Sequence, residues 1–183
     1  GSVAIMMSYL GDQTGVYRAM DKLGPATASS IAIESQVDER YLLEWLSSNA
    51  ARGYVTYDDD SQLFSLSPEQ AAVFARENEP TCIQGLIQGV VGQFVNQDIA
   101  IDVFKTGRGR PWGEHHECCF CGTERFFRPA YATHLLDEWI PAMAGVEEKL
   151  SKGAKVADIG CGLGTSSILM AENFPNSIIH AYD

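Results

Sequence analysis

Basic residues are scarce in this chain of 183 residues, which has 13 Lys and Arg against 24 Asp and Glu and a formal charge of −11. A nucleic-acid partner requires clustered cations that contact the phosphates, and an anionic membrane surface attracts the same cations. The acidic balance therefore argues against a nucleic-acid partner and against a membrane partner.

The sequence also lacks an apolar run of membrane-spanning length and a framework of paired cysteines. Its longest uncharged stretch, 81–97, is interrupted by glutamine and asparagine side chains. The five cysteines are odd in number and clustered, which does not indicate a secreted disulfide framework. We therefore expect a reduced, cytoplasmic protein. Gly1 and Ser2 resemble the remnant of an expression tag and do not enter the fold prediction.

Helix and turn signals in the N-terminal part predict three helices, a β-hairpin and a further helix. The predicted elements are helices at Val16–Leu23 and Ala28–Glu34, a third helix after Asp38, strands at Tyr54–Tyr57 and Leu63–Leu66, and a helix start at Ser67-Pro68. Thr27, Asp38 and Ser67 are the predicted N-caps. This order of elements is typical of a winged helix, and the predicted domain covers residues 3–78.

The third helix of this domain has both an apolar face and an acidic start. Its apolar face is predicted to comprise Tyr41, Leu42, Trp45 and Leu46. The helix begins Asp38-Glu39-Arg40, and the tip of the wing carries three consecutive aspartates at 58–60. Such a surface repels phosphate, which disfavours DNA binding. A winged-helix regulator that senses a small ligand or binds DNA is the alternative to an enzyme.

Residues 79–152 predict a helical connector or cap. Thr81 would cap a helix that contains Gly85, Gly89 and Gly92. Because each glycine costs a helix roughly 1 kcal/mol, the three indicate close approach by another helix or a locally weak helix. The apolar positions of this helix, which predict core packing and part of a dimer face, are Ile83, Leu86, Ile87, Val90, Val91, Phe94 and Val95.

A basic, glycine-rich loop is predicted at Phe104–Gly113, and the cluster His115–Cys121 follows it. Two imidazoles and three thiols within seven residues are zinc-type ligands. Structural zinc sites use well-separated pairs of ligands, however, and this cluster has no second pair. The prediction is therefore no metal site, and a loop packed on Phe120 and Phe126. Pro129 then predicts the first position of a further helix.

Residues 155–183 carry the pattern around which the chain is organised. They predict a strand at Val156–Ile159, a turn at Gly160, Gly162 and Gly164, a helix capped by Thr165 or Ser166, and a second strand at Ile178–Tyr182 that ends on Asp183. Glycines allow close backbone approach to a ligand, and the following helix N-terminus suits an anion. An acid after the second strand can accept hydrogen bonds from ribose hydroxyls.

The segment Asp158-Ile-Gly-Cys-Gly-Leu-Gly164 resembles the first motif of class I S-adenosylmethionine-dependent methyltransferases. Its G-x-G-x-G spacing differs from the dinucleotide fingerprint G-x-G-x-x-G. This difference disfavours an NAD-binding Rossmann enzyme, which stays as an alternative. The resemblance implies S-adenosylmethionine as the cofactor. It implies that the glycine turn wraps the methionine portion, the upstream acid lies near its amino group, and the final acid holds the ribose. The implied cofactor-binding residues are Asp158, Gly160, Cys161, Gly162, Gly164 and Asp183.

The combination of winged helix, connector and glycine motif resembles small-molecule methyltransferases whose N-terminal domain serves for dimerisation. This resemblance implies methyl transfer to a small-molecule acceptor and a homodimer. It also implies that the helices before the glycine motif cover the substrate pocket, with Phe126, Phe127, Tyr131 and His134 as the substrate-side candidates. No catalytic residue is assigned within the chain.

The predicted fold class is mainly α with an α/β part. A winged helix at 3–78 precedes a helical connector at 79–152, and residues 153–183 form the first β-α-β unit of a Rossmann-like methyltransferase domain. Two strands and one helix bury little apolar area against the entropy of ordering them. We therefore expect the chain to be a truncated piece of a longer enzyme, inactive alone.

Overall fold

The computed structural model describes all residues from Gly1 to Asp183, and its N-terminal part is a winged helix. Its elements are α1 (Ser2–Gln13), α2 (Val16–Leu23), α3 (Ala28–Ser35), α4 (Glu39–Ala50), β1 (Thr56–Asp58), β2 (Leu63–Ser65) and α5 (Pro68–Phe74). Thr27, Asp38 and Ser67 each accept a hydrogen bond from the backbone N–H group three residues further along, so all three predicted N-caps are confirmed. A bridge between Ala26 and Phe64 joins the loop before α3 to the wing.

A single apolar cluster of 14 buried residues holds this part together. Leu42, Trp45 and Leu46 belong to it, as the predicted apolar face of α4 requires. Tyr41 was expected on the same face but is 79% exposed. The buried residues of α4 are Leu42, Trp45, Leu46 and Asn49, which follow helical spacing along one face. Tyr41 lies outside this buried face.

Helix α1 has no counterpart among the predicted elements because its buried residues are small or polar. They are Ser8, Gly11 and Asp12, whereas its larger apolar side chains stay partly exposed. The indole Nε1 of Trp45 donates to the Met7 carbonyl at 2.7 Å, and this bond fixes α1 on α4.

The centre of the connector is formed by two helices that pack along each other at very short range. The connector elements are α6 (Gln84–Val95), α7 (Gln97–Thr106), a 3-10 turn (Trp112–Glu114) and α8 (Glu117–Ala130). A Cβ placed on Gly122 of α8 would lie 2.5 Å from the backbone nitrogen of Gly89 and 2.6 Å from the carbonyl oxygen of Gly85. The close helix approach predicted from the glycines of α6 is therefore confirmed.

Three local predictions for the connector are wrong. Thr81 does not cap α6, which follows Ile83 without a side-chain cap. The expected loop from Phe104 starts inside α7, which ends at Thr106 and is followed by Gly107 in the left-handed region that glycine favours. The cluster His115–Cys121 is not a loop: Nδ1 of His116 accepts a hydrogen bond from the Cys118 backbone, which caps α8 and makes the rest of the cluster helical.

Pro129 lies inside α8 rather than at the start of a helix, which also corrects the prediction. Since proline has no N–H to donate to the carbonyl four residues earlier, it interrupts the α-helical hydrogen-bond pattern. The chain continues after α8 as a π-helical segment, Tyr131–Trp139. A final turn, α9 (Ile140–Ala142), and the short α10 (Val146–Lys152) lead into the last unit.

The last unit is a parallel pair of strands connected by one helix. The strands are β3 (Lys155–Ile159) and β4 (Ile178–Tyr182), and α11 (Thr165–Asn173) lies between them. A small core of Ile140, Leu150 and Phe174 joins this unit to the preceding helices. The N-cap of α11 is Gly164, so the predicted caps Thr165 and Ser166 are wrong. The fold class, mainly α with a small parallel α/β part, is confirmed.

None of the helices combines the length and the apolar character that crossing a membrane requires.

Candidate functional site

The turn between β3 and α11 folds back onto the end of β4. The backbone N–H groups of Gly160 and Cys161 both donate to the carbonyl oxygen of Tyr182, at 2.7 and 3.0 Å. Gly160, Gly162 and Gly164 have φ angles of 78°, 54° and 82°, which glycine adopts without steric cost. A Cβ on any of the three would meet no atom within 4 Å, so the turn presents bare backbone to open space.

Asp183 lies beside this turn at the end of β4. Its Oδ1 accepts a hydrogen bond from the backbone N–H of Gly162 at 3.1 Å. The side chain is exposed and lines the same cleft as the turn. The carboxylate therefore faces the place where a ligand of the glycine turn would lie.

Asp158 serves a different part of the same motif. Its Oδ2 accepts hydrogen bonds from the hydroxyl groups of Ser166 and Ser167, at 2.8 and 2.7 Å. These bonds tie the first turn of α11 to β3. Asp158 is not among the residues that line the cleft, and its role beside the amino group of a ligand stays a prediction.

The glycine turn faces α8 across a cleft of about 190 Å³. The cleft is lined by Trp112, Phe120, Thr123, Glu124, Phe127, Tyr131, Gly160, Cys161, Gly162, Leu163, Thr165 and Asp183. One wall is backbone and a carboxylate, and the other is mostly aromatic. Such a cleft suits a ligand that has a polar part for the turn and an apolar part for α8.

Two of the four substrate-side candidates lie in this cleft. Phe127 and Tyr131 line it, with their rings stacked at a centroid distance of 6.1 Å. Phe126 instead lines a groove between α6 and α8. His134 lies beyond the cleft, where its Nδ1 is 3.0 Å from Oε1 of Glu138. The roles of all four toward a substrate stay predictions.

Several cleft residues were not singled out from the sequence. Phe120, Thr123 and Glu124 occupy the same face of α8 as Phe127, at the i, i+3, i+4, i+7 spacing of one helical stripe. That spacing would have identified them had a helix been predicted over residues 117–130. Trp112 lies before α8, in the 3-10 turn, and its ring meets Phe120 edge-on at 5.2 Å.

A series of ion pairs connects the winged helix to the cleft. Arg125 of α8 holds both carboxylate oxygens of Asp12, at 2.9 and 3.1 Å, and its Nε donates to Glu77 at 2.8 Å. The Asp12 side chain is only 4% exposed and that of Arg125 is 17% exposed. Arg128 pairs with Glu77 at 2.7 Å and with Glu124 at 3.5 Å.

These contacts also change the acidity of the paired groups. The hydrogen bond from Arg125 lowers the pKa of the Glu77 carboxyl below its usual value of 4.5. The hydrogen bond to Asp12, followed by the one to Glu77, raises the pKa of the Arg125 guanidinium. Both shifts favour the charged forms, so Glu77 and Arg125 are ionised at neutral pH.

The His115–Cys121 cluster contributes to helix packing. The thiol of Cys119 lies 3.6 Å from the carbonyl oxygen of Gly89 across the α6–α8 contact, and burial raises its pKa. Nowhere in the structure do three or more His, Cys, Asp or Glu side chains gather closely enough to hold a metal ion.

Comparison with known proteins finds a family model that matches the N-terminal part of the chain. Residues 1–76 match the family model of the Rv2258c-like winged HTH domain. No curated protein sequence matches the chain significantly.

Solved structures resemble the whole chain. Human N-acetylserotonin methyltransferase in complex with SAM has a TM-score of 0.67 at 11% identity, over 98% of this chain and 55% of that one. PigF with SAH has a TM-score of 0.65 at 16% identity, over 99% of this chain and 56% of that one. The mitomycin 7-O-methyltransferase MmcR has a TM-score of 0.64 at 15% identity, over 99% of this chain and 54% of that one. The chain spans about half the length of these structures. The chain therefore shares its fold, a winged helix followed by a helical connector and a parallel β-α-β unit, with part of each of these structures.

Proposed function

We propose that this protein transfers a methyl group from S-adenosylmethionine to a small-molecule acceptor. The observation that carries the proposal is the bare glycine turn with the Asp183 carboxylate beside it. The shared fold supports it, because the similar structures include a methyltransferase in complex with SAM and a protein in complex with SAH.

The residues of the cleft fit this cofactor. The open turn accepts a closely approaching ligand, and Asp183 can accept hydrogen bonds from ribose hydroxyls. The charged residues among the twelve that line the cleft are Glu124 and Asp183, both acidic. S-adenosylmethionine carries an ammonium and a sulfonium, whereas NAD carries a pyrophosphate. The acidic lining therefore favours the methyl donor over the dinucleotide alternative.

When bound, the cofactor supplies an electrophilic methyl group on its sulfonium. The role of this chain is to hold the two reactants in line and to exclude water from them. The glycine turn and Asp183 hold the polar end, while Trp112, Phe127 and Tyr131 give an apolar wall on the opposite side. His134 is not among the residues that line the cleft, so its position does not suit it as a base for an acceptor bound there.

Asp183→Ala in the full-length protein tests the ribose contact. We expect binding of S-adenosylhomocysteine to weaken by about 1–3 kcal/mol, because the charged acceptor for the hydroxyls is removed. Isothermal titration calorimetry measures the change. Asp59→Ala removes the same charge at the distant wing tip and should leave the affinity as it is. Unchanged affinity in Asp183→Ala would contradict the ribose contact, and a preference for NADH would contradict the proposed function.

We also propose that the protein is a homodimer that associates through α1 and α6. Apolar side chains of the two helices form one shallow groove, lined by Val3, Ile5, Met6, Val91, Phe94 and Val95. Phe94 and Val95 are 50% and 56% exposed. Continuous apolar surface of this kind is typical of an association surface.

Val95→Glu is expected to convert this dimer to a monomer, because it places a charge in an apolar contact. Sedimentation velocity at micromolar concentration measures the change, and the melting temperature should stay near that of the wild type. Ile101→Glu on the exposed α7 introduces the same charge away from the groove and should remain dimeric. A wild-type protein that sediments as a monomer at high concentration would rule out the dimer.

Surface charge supports the proposal that neither nucleic acid nor membrane is a partner. In the wing, Asp58 accepts hydrogen bonds from the backbone N–H groups of Ser61 and Asp60. The bonds from Ser61, with a smaller contribution from Asp60, lower the pKa of Asp58, which favours its negatively charged form. A cytoplasmic location is proposed with it, since all five cysteines are unpaired.

A further inference from the structure

The first turn of α11 carries three consecutive hydroxyl side chains, and each donates to a carboxylate. Ser166 and Ser167 donate to Asp158, which precedes the turn in the same unit. The hydroxyl of Thr165 donates in the opposite direction, to Oε1 of Glu124 on α8, at 3.0 Å. Two bonds therefore fix α11 to its own sheet, and one fixes it to the helix across the cleft.

Glu124 is itself firmly placed. Its side chain is 16% exposed, and its second oxygen lies 3.5 Å from the guanidinium of Arg128. Arg128 also holds Glu77, which follows α5 of the winged helix and is bound by Arg125 as well. The carboxylate that receives the Thr165 hydroxyl is thus connected through two arginines to the N-terminal domain.

The position of this bond matters because Glu124 and Thr165 both line the cleft and stand on its opposite walls. Thr165 directly follows Gly164, the last glycine of the turn. Any movement of α11 away from α8 would carry the glycine turn with it and widen the cleft. The backbone of the turn would then lose its place opposite Phe127 and Tyr131.

We infer that Glu124 and Thr165 are a pair of positioning residues that set the distance between the glycine turn and α8 for cofactor binding. This inference rests on the proposed function. The hydrogen bond between the two side chains holds the turn that contacts the cofactor, and it needs both side chains. Removing one partner has the same consequence as removing both.

Calorimetric titration of the full-length protein with S-adenosylhomocysteine tests this pair. We expect Thr165→Val and Glu124→Ala each to weaken binding about tenfold, within the range found for residues that modulate binding without contacting the ligand. The double variant should bind no more weakly than the weaker single variant, since the same bond is lost. Thr165→Ser keeps the hydroxyl and should restore wild-type affinity, which a purely structural loss of packing would not predict.

Thr106→Val provides the matched control. Its hydroxyl donates to the Asp102 carbonyl within α7, so the same substitution removes no bond between elements, and the affinity should not change. Losses that add in the double variant would show that Glu124 contacts the ligand directly and would overturn the positioning role. Wild-type affinity in Thr165→Val would also overturn it while leaving the proposed function intact. A wild-type protein that does not bind S-adenosylhomocysteine would overturn both.

Discussion

Arg125→Ala is expected to destabilise the protein by about 3–5 kcal/mol, because it removes the bidentate partner of a buried carboxylate. The Asp12 side chain is 4% exposed and receives two hydrogen bonds from Arg125. Arg18 offers only one contact of 3.5 Å to the same carboxylate and is itself half exposed. Arg18 therefore cannot replace the bidentate pairing of Arg125 with Asp12. Urea-induced unfolding at neutral pH measures the loss of free energy.

Two further variants make this test specific. Arg40→Ala removes an arginine from an ion pair with Glu44 in which the side chains are 83% and 71% exposed, and it should change stability by at most about 0.5 kcal/mol. Asp12→Asn added to Arg125→Ala should recover part of the loss, because the unpaired buried charge disappears. Equal effects of Arg125→Ala and Arg40→Ala would show that the buried pair contributes no more than a surface pair.

The parts of the fold that the sequence predicted correctly are those in which local chemistry and packing agree. Thr27, Asp38 and Ser67 are N-caps by residue type and N-caps in the structure. Helix α1 escaped prediction because its buried face is Ser8, Gly11 and Asp12, the reverse of an apolar stripe. Its place depends on Arg125, which is 113 residues away and which no local pattern reveals.

The candidate site follows the same division. The glycine turn and Asp183 are adjacent through β3 and β4, so strand order alone predicts that they meet. Their opposite wall is α8, and that wall depends on contacts between elements distant in sequence. The sequence predicts a loop at His115–Cys121 and a new helix from Pro129, so the prediction contains no helix over most of α8. The common face of Phe120, Glu124 and Phe127 was hidden as a result.

Replacing Gly89 or Gly122 by alanine at the contact of α6 and α8 is expected to change the free energy of unfolding in opposite directions. In an ordinary helix position, replacing glycine by alanine stabilises by about 0.5–1 kcal/mol. Gly89→Ala should show this gain, because a Cβ there meets nothing within 4 Å. Gly122→Ala should instead destabilise by about 3 kcal/mol, at the upper end of typical overpacking costs.

The reason for the loss at Gly122 is the kind of atom that its Cβ would meet. The nearest neighbours are the nitrogen and Cα of Gly89 and the carbonyl oxygen of Gly85, at 2.5, 2.9 and 2.6 Å. Backbone atoms within a helix cannot turn aside as a side chain can, so α6 and α8 must separate as whole helices. Urea-induced unfolding of the two alanine variants beside the wild type measures both signs. A gain of stability in Gly122→Ala would mean that the helices are not held at this distance in solution.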